Sequence, residues 1–589
     1  MTPLVYTVSA ADLHAHLFAV TLRIPAPAAQ QVVSLPVWVP GSYLVREFAR
    51  HLQGLRAQQG RRQLVLTQLD KCSWQIDNTG NAPIELRYEV YAFDNSVRAA
   101  WLDARRGFFN GTSLCLRVHG QETQPHQLQL LPVPGQADWQ AATGLAPLKT
   151  DKRGFGLYQA ADYDELVDCP VELGPFWSGS FKACGISHRF VVAGALPSFD
   201  GARLLADTQK ICETEIRFWH GQGAQAGRKA PHKNYVFMLN AVDEGYGGLE
   251  HRNSTALICG RRDLPRVNDK KTSEGYTTLL GLISHEYFHT WNVKQLRPDA
   301  FARYDYTREN HTPLLWFFEG FTSYYDDLLL RRAGLIDDAT YLKLLGKTIA
   351  QLQQTPGRHV QSVAQASFDA WTRYYRPDEN TPNATVSYYG KGALVALCLD
   401  LTLREEYKAQ GHTLDAVMRS LWQRCKAGPM NEQDLLDALQ ALTGRSWQKE
   451  LQSWVHSTDE LPLSRLLEAQ GVRIHAETGN FAQHLGLRHQ DANASVQVKA
   501  VLRGSAAERA GLAAGDEWLG LEVGARGQGG QWRVNKLADV PELLGAERKA
   551  VAIVSRDKQL LRLPLTVPQQ STVWRLELSA GRGGAWPSA

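Results

Sequence analysis

Short runs in which apolar residues alternate with polar ones fill the first 170 positions. Residues 4–8, 17–24, 32–38, 64–66, 84–91 and 114–118 are rich in β-branched, aromatic and other apolar side chains, and Gly, Pro, Asn and Asp separate them. A period of two between turn formers predicts strands, so residues 1–170 read as a β-rich N-terminal domain, a sandwich or a large open sheet. Near Asp200 the period lengthens. Leu204, Leu205, Ile211, Cys212, Ile216 and Trp219 recur at helical spacing over residues 202–220. A buried strand is expected over 235–239 and a Gly-rich turn over 245–248. Helices then dominate, at 276–293, 314–332, 338–355, 389–410, 413–425 and 432–443. Residues 171–460 therefore read as one block, a mixed sheet leading into a helical half. Beyond Leu463 strands return at 496–502, 518–523, 551–555 and 559–567, with short helices at 506–510 and 536–544 and a Gly-rich loop at 524–530. Residues 465–570 read as a separate small β-rich domain and 571–589 as a tail. The fold class is multidomain α+β.

Composition adds limits. At 589 residues the chain is too long for one domain, and about 150 residues per domain suggests three or four. A net charge of +4 with acids and bases well mixed gives no reason to expect nucleic acid or a membrane surface as partner. The eight cysteines are scattered without a Cys-x-x-Cys pair, so they read as buried free thiols. The first 25 residues lack a basic start followed by an apolar run, and no stretch is apolar enough to span a bilayer. The chain reads as cytoplasmic.

The chemistry concentrates in His285-Glu286-Tyr287-Phe288-His289. Two His four apart on a helix share a face, so both imidazoles reach one ion. Zinc takes nitrogen ligands at about 2.0–2.1 Å and closes a tetrahedron. Glu286 is placed to take a proton from the metal's water, whose pKa zinc lowers while it polarises the scissile carbonyl. Two His leave such a site open, and the apolar stretch from Leu314 to Tyr324 holds a single carboxylate, Glu319. A buried Glu needs a cation or hydrogen bonds. Zinc meets that need, with an Arg or Lys partner as the competing reading. One zinc per chain on His285, His289 and Glu319 is the expected centre.

That motif, followed by Trp316, Glu319-Gly320-Phe321 and Tyr324 on a second helix, resembles the gluzincin aminopeptidases. Tyr246-Gly247-Gly248-Leu249-Glu250-His251, Tyr388-Tyr389-Gly390-Lys391-Gly392-Ala393 and Trp38-Val39-Pro40-Gly41-Ser42-Tyr43 narrow the resemblance to the glycyl aminopeptidase family. So does the stretch 501–516, which looks like the core of a bacterial PDZ domain. The resemblance implies a β-rich first domain, a thermolysin-like catalytic domain over 171–460 and a PDZ domain over 465–570. It assigns Glu250 to the substrate's free amine and the backbone of Gly247 and Gly248 to the extended peptide. It assigns Tyr389 to the oxyanion, with Tyr388 as the adjacent rival. His251 stands where related enzymes carry Asn, and the connection from His289 to Glu319 is longer than in alanyl-type enzymes, with 297–311 inserted.

The function expected is a zinc-dependent aminopeptidase that removes small N-terminal residues, Gly or Ala, with Glu286 activating the water. Its partner is a peptide with a free N-terminus, and a C-terminal peptide is the candidate ligand of the PDZ domain, with His484-Leu485-Gly486-Leu487 at the carboxylate-binding loop. A PDZ-assisted endopeptidase and a non-catalytic PDZ binding protein are the alternatives.

Overall fold

Alternation in the sequence becomes alternation of burial in the structure. In Leu4–Asp12, Leu17–Ile24 and Ile84–Tyr91 every second side chain is buried, because successive side chains of a strand point to opposite faces. The three lie side by side in an eight-stranded sheet. Tyr6, Phe18, Val20, Leu22, Leu86 and Leu128 join one core beneath it. The structure is a computed structural model and describes residues 2–78, 80–223, 225–524, 530–568, 572–579 and 586–587.

Three expectations in this region shift. The strand expected over 32–38 is confined to Gln30–Ser34. The chain beyond it is buried as an irregular segment, and Trp38 Nε1 donates to the Asp305 carbonyl at 2.8 Å. The strand expected over 114–118 is a single helical turn, Gly111–Leu114, followed by Arg117–Val118. A Cβ at Gly111 would lie 2.8 Å from Val167 Cα, so the turn is set by backbone packed on backbone. Residues 64–66 are divided between Arg62–Leu64 and Leu66–Gln68.

The chain divides into two units, one of Met1–His311, Tyr325–Leu335 and Met418–Asp434, the other of Thr312–Tyr324, Ile336–Val417 and Leu435–Ala589. The first also contains a five-stranded sheet of β1 (Trp177–Ala183), β2 (Ile186–Ala193), β3 (Asn234–Val242), β4 (Tyr246–Glu250) and β5 (Ser254–Gly260). Its order is β1-β2-β3-β5-β4, which leaves β4 at an edge, antiparallel to β5. Helices α1 (Gly201–His220) and α2 (Glu274–Phe288) belong to the same unit.

Helix α3 (Leu315–Arg332) contributes its first turns to the second unit and the rest to the first. In the second unit stand α4 (Asp338–Gln353) and α5 (Tyr388–Glu406). The start of α3 and α5 meet at glycines. A Cβ on Gly320 would lie 2.5 Å from Gly392 Cα, and one on Gly392 would collide with the Trp316 carbonyl.

The last part of the second unit is β-rich, as expected. Leu487–Ala492, Ser495–Val501, Glu517–Val523, Lys549–Arg556 and Gln559–Thr566 form a sheet with Gln531–Arg533. Val496, Trp518, Leu521, Val554 and Leu565 make its core. The helix expected at 536–544 is a 3-10 turn, Leu537–Asp539, leading into Val540–Leu544. The loop expected at 524–530 lies outside the described residues except for its two ends. Thr572–Leu578, read from sequence as part of a tail, is a strand antiparallel to Val472–Thr478, and Gly346 of α4 approaches its Trp574 carbonyl. All eight cysteines are free thiols. Among the described residues no helix is long and apolar enough to cross a membrane.

The glycine contact between α3 and α5 sets the first expected outcome. Gly392→Ala forces backbone apart in a filled layer and should cost about 1–3 kcal/mol, read as a lower unfolding temperature, whereas Ala at Gly390 of the same helix, where a Cβ would meet nothing nearer than 3.9 Å, should not reproduce it.

Candidate metal centre and active site

Ser273 caps α2 by accepting from the Tyr276 N–H at 3.0 Å, and Leu279, Leu280, Leu282 and Ile283 are buried ahead of the motif. The helix ends at Phe288 and not at 293 as its apolar pattern suggested. A turn follows in which Val293 adopts φ 114°, costly for a β-branched residue. The turn is closed by Val293 N–H to Leu296 O at 2.8 Å and Lys294 N–H to His289 O at 3.1 Å. It brings the Asn292 carbonyl to His289 Nδ1 at 2.8 Å.

His285 is held in the same way, its Nδ1 lying 3.1 Å from Asp326 Oδ2 on α3. With both Nδ1 atoms facing acceptors, each neutral ring carries its hydrogen there and keeps a lone pair on Nε2. The two Nε2 atoms stand 3.1 Å apart. Nitrogens bound tetrahedrally to one zinc at about 2.0–2.1 Å stand about 3.3 Å apart, so the pair already has the spacing of ligands. Ligand atoms of His285, His289 and Glu319 all lie within 4.8 Å of one another, and this is the one such group among the described residues. Two imidazoles and a carboxylate, largely out of water, are a donor set suited to zinc. The residues fit the metal.

Glu286 lies against β4. A Cβ at Gly248 would collide with Glu286 Oε1, so only glycine lets the strand's backbone and this carboxylate meet. Glu250, at the end of β4, is 4% exposed. Its two carboxylate oxygens would lie 2.5 Å from a Cβ on Gly41, whose φ of +94° already calls for glycine.

Just past β4, Asp168 gathers three basic groups. Lys294 Nζ lies 2.8 Å away, Arg252 Nε 3.0 Å and His251 Nδ1 3.1 Å. Burial opposes the charge on Asp168, but Lys294, the His251 hydrogen bond and Arg252 outweigh it and hold the carboxyl well below its usual range. Burial likewise opposes the Lys294 charge, and Asp168, Tyr304 and Glu250 together overcome it.

Tyr388 is fully buried and Tyr389 half-buried at the start of α5. Tyr374 stacks on Tyr389 with ring centres 5.6 Å apart. Burial, followed by the nearby Glu319 charge, holds the Tyr389 phenol well above its usual pKa. It is therefore a neutral hydroxyl beside a proposed metal ligand.

The site residues named from sequence thus fall into two sets. His285, His289 and Glu319 come together, and Glu286, Gly248 and Glu250 line β4 and α2. Sequence reasoning missed Asp326, Asn292, Asp168, Tyr374 and the contact of Gly41 with Glu250. Only Asp326 left a trace, since it follows Glu319 by seven residues, two helical turns along the same face.

Residues 5–175 match the peptidase M61 N-terminal domain and residues 278–395 match M61 glycyl aminopeptidase. A solved structure from Idiomarina loihiensis, described as an aminopeptidase N family protein, is 35% identical. It superposes with a TM-score of 0.92 over 98% of this chain and 99% of its own. The chain belongs to the M61 glycyl aminopeptidase family. A variant of the M1 zinc metallopeptidase from Deinococcus radiodurans is a looser likeness, at 15% identity and a TM-score of 0.46 over 78% of this chain and 94% of its own. No curated protein matches. As an M61 member the chain is a metallopeptidase, a hydrolase acting on peptides.

The Asp168 cluster carries the next expected outcome. Asp168→Ala strands buried cations and should cost about 3–5 kcal/mol of stability at pH 7. Because the folded pKa is depressed, the wild-type advantage is complete above the unfolded value of about 4 and is lost as pH falls through the folded one. Denaturant titrations of both proteins between pH 7 and pH 3 should show a gap that is constant down to about pH 4 and begins to narrow below it.

Proposed function

We propose that this M61 member is a zinc-dependent aminopeptidase that removes small N-terminal residues from peptides. The observation that carries the reading is the convergence of the His285, His289 and Glu319 ligand atoms within 4.8 Å, next to Glu286 of α2, which abuts β4. His285, His289 and Glu319 hold one zinc, which supplies a Lewis acid that acidifies water and polarises the carbonyl.

The chain's own residues do the rest. Glu286 takes the proton of the attacking water and returns it to the departing nitrogen. Glu250 receives the substrate's ammonium in a charge-assisted pair. The backbone of Gly247 and Gly248 lies on an edge strand and accepts the extended peptide as one strand more. Tyr389, neutral at working pH, donates a hydrogen bond to the developing oxyanion, with Tyr388 as the adjacent rival. The resemblance to the glycyl aminopeptidase family is what supports the preference for Gly or Ala.

We further assign residues 465–570 to a PDZ-like domain and 171–460 to the catalytic domain. Asn383 Nδ2 donates to the Val501 carbonyl at 2.9 Å, and Asn383 Oδ1 accepts from the Arg503 N–H at 2.8 Å. These bonds join the PDZ-like domain to the helical turn Thr381–Ala384 ahead of α5 and favour a packing role for it.

Glu286→Gln should lower kcat by about 10²–10⁴-fold with zinc still bound near one per chain by metal analysis. Undiminished turnover would refute the mechanism. Peptides with a free amine should be cleaved and their N-acetylated forms spared. Glu250→Ala should erase that difference, and equal cleavage of both by the wild type would remove Glu250 from its role.

A further inference from the structure

Arg98 brings a positive charge to β4 from the N-terminal domain. It lies between the strands Ile84–Tyr91 and Ala100–Leu102, and its backbone N–H donates to Ser96 Oγ at 3.2 Å. Its Nε is buried without a hydrogen-bond partner, and its guanidinium forms no ion pair with a described residue. A Cβ built on Gly247 would lie 3.8 Å from both Nη1 and Nη2, so the planar end of the side chain sits against β4.

Position along β4 gives this cation a meaning. If Glu250 holds the substrate's amine and Glu286, against Gly248, works at the first carbonyl, the peptide runs from Glu250 past Gly248 toward Gly247. Its direction is antiparallel to β4. The residue that follows the cleaved bond then arrives beside Gly247 and Arg98. Successive residues of a strand face opposite sides, so Gly247 points away from the side on which Gly248 meets Glu286. A substrate residue paired with Gly247 would turn its side chain to the Arg98 side.

We propose that Arg98 is a specificity residue that recognises a carboxylate on the second residue of the substrate, the one whose amine the first cleavage frees. An unpaired guanidinium is a fork of donors matched to a carboxylate. The carboxylate is the C-terminus of a dipeptide or the side chain of Asp or Glu at that position. The site would thereby favour the smallest peptides or those acidic at residue two.

This inference rests on the aminopeptidase reading. Its test is kcat/KM on two matched pairs at low salt: Ala-Leu against Ala-Leu amide, and Ala-Asp amide against Ala-Asn amide. At least one pair should favour the carboxylate by about tenfold, the advantage should shrink as salt rises, and Arg98→Met should bring the ratio to near one. The favoured pair identifies the source of the carboxylate. Ratios near one for both pairs in the wild type overturn the inference whatever the variant does, and so does a ratio that survives in Arg98→Met. Either result leaves untouched the difference between free and acetylated amines, on which the aminopeptidase reading stands or falls separately.

Discussion

Two imidazole nitrogens 3.1 Å apart, each with its ring's other nitrogen held by an acceptor, are a costly arrangement in a largely dry site. Neither lone pair can accept from the other ring unless one of them gives up its tautomer. A shared cation would remove the conflict, and a carboxylate within reach of the pair makes three donors, which would leave a tetrahedral zinc one open position for water. Much of the local structure serves that constraint. Helix α2 stops where it does so that Asn292 O reaches His289, and Val293 bears a strained φ to make the turn.

The same turn has a second product. Lys294 leaves it toward Asp168, which also holds His251 and Arg252 directly after β4. The segment carrying the two histidines proposed as metal ligands and the strand proposed to carry the substrate are thus fastened to one buried carboxylate. That carboxylate belongs to the N-terminal domain, as do Gly41 against Glu250 and Arg98 against Gly247. Within this unit the N-terminal domain forms part of the wall of the proposed site. A buried charge cluster is weak as a source of stability, but it fixes which groups face one another.

Periodicity carried the sequence a long way. Leu17–Ile24 and Ile84–Tyr91 fall where alternation placed them, α1, α3 and α4 begin within a residue of expectation, and the paired histidines and the lone carboxylate of an apolar helix pointed to His285, His289 and Glu319, whose ligand atoms converge. What escaped was set by contact over long sequence distance. Asp168 and His251 are 83 residues apart, and nothing local to either announces the other. The end of α2 escaped because Trp291 and Val293 continue the apolar pattern, while the backbone has to leave the helix to reach His289. Thr572–Leu578 resembled a tail because its partner strand lies about 100 residues earlier.

Glycine gives the site its shape where side chains would forbid it. Gly248 lets Glu286 press against a strand, Gly41 lets a loop cover the Glu250 carboxylate, and Gly320 and Gly392 let two helices meet at backbone distance. In the first two cases a carboxylate occupies the space that a Cβ would have taken. Each is thereby fixed against main chain, where few rotamers remain open to it. The chain thus orders Glu286 and Glu250 by subtracting atoms beside them, and little conformational entropy is left to lose when substrate arrives. Gly248 and Gly41 are for that reason as much a part of the proposed chemistry as the two carboxylates beside them.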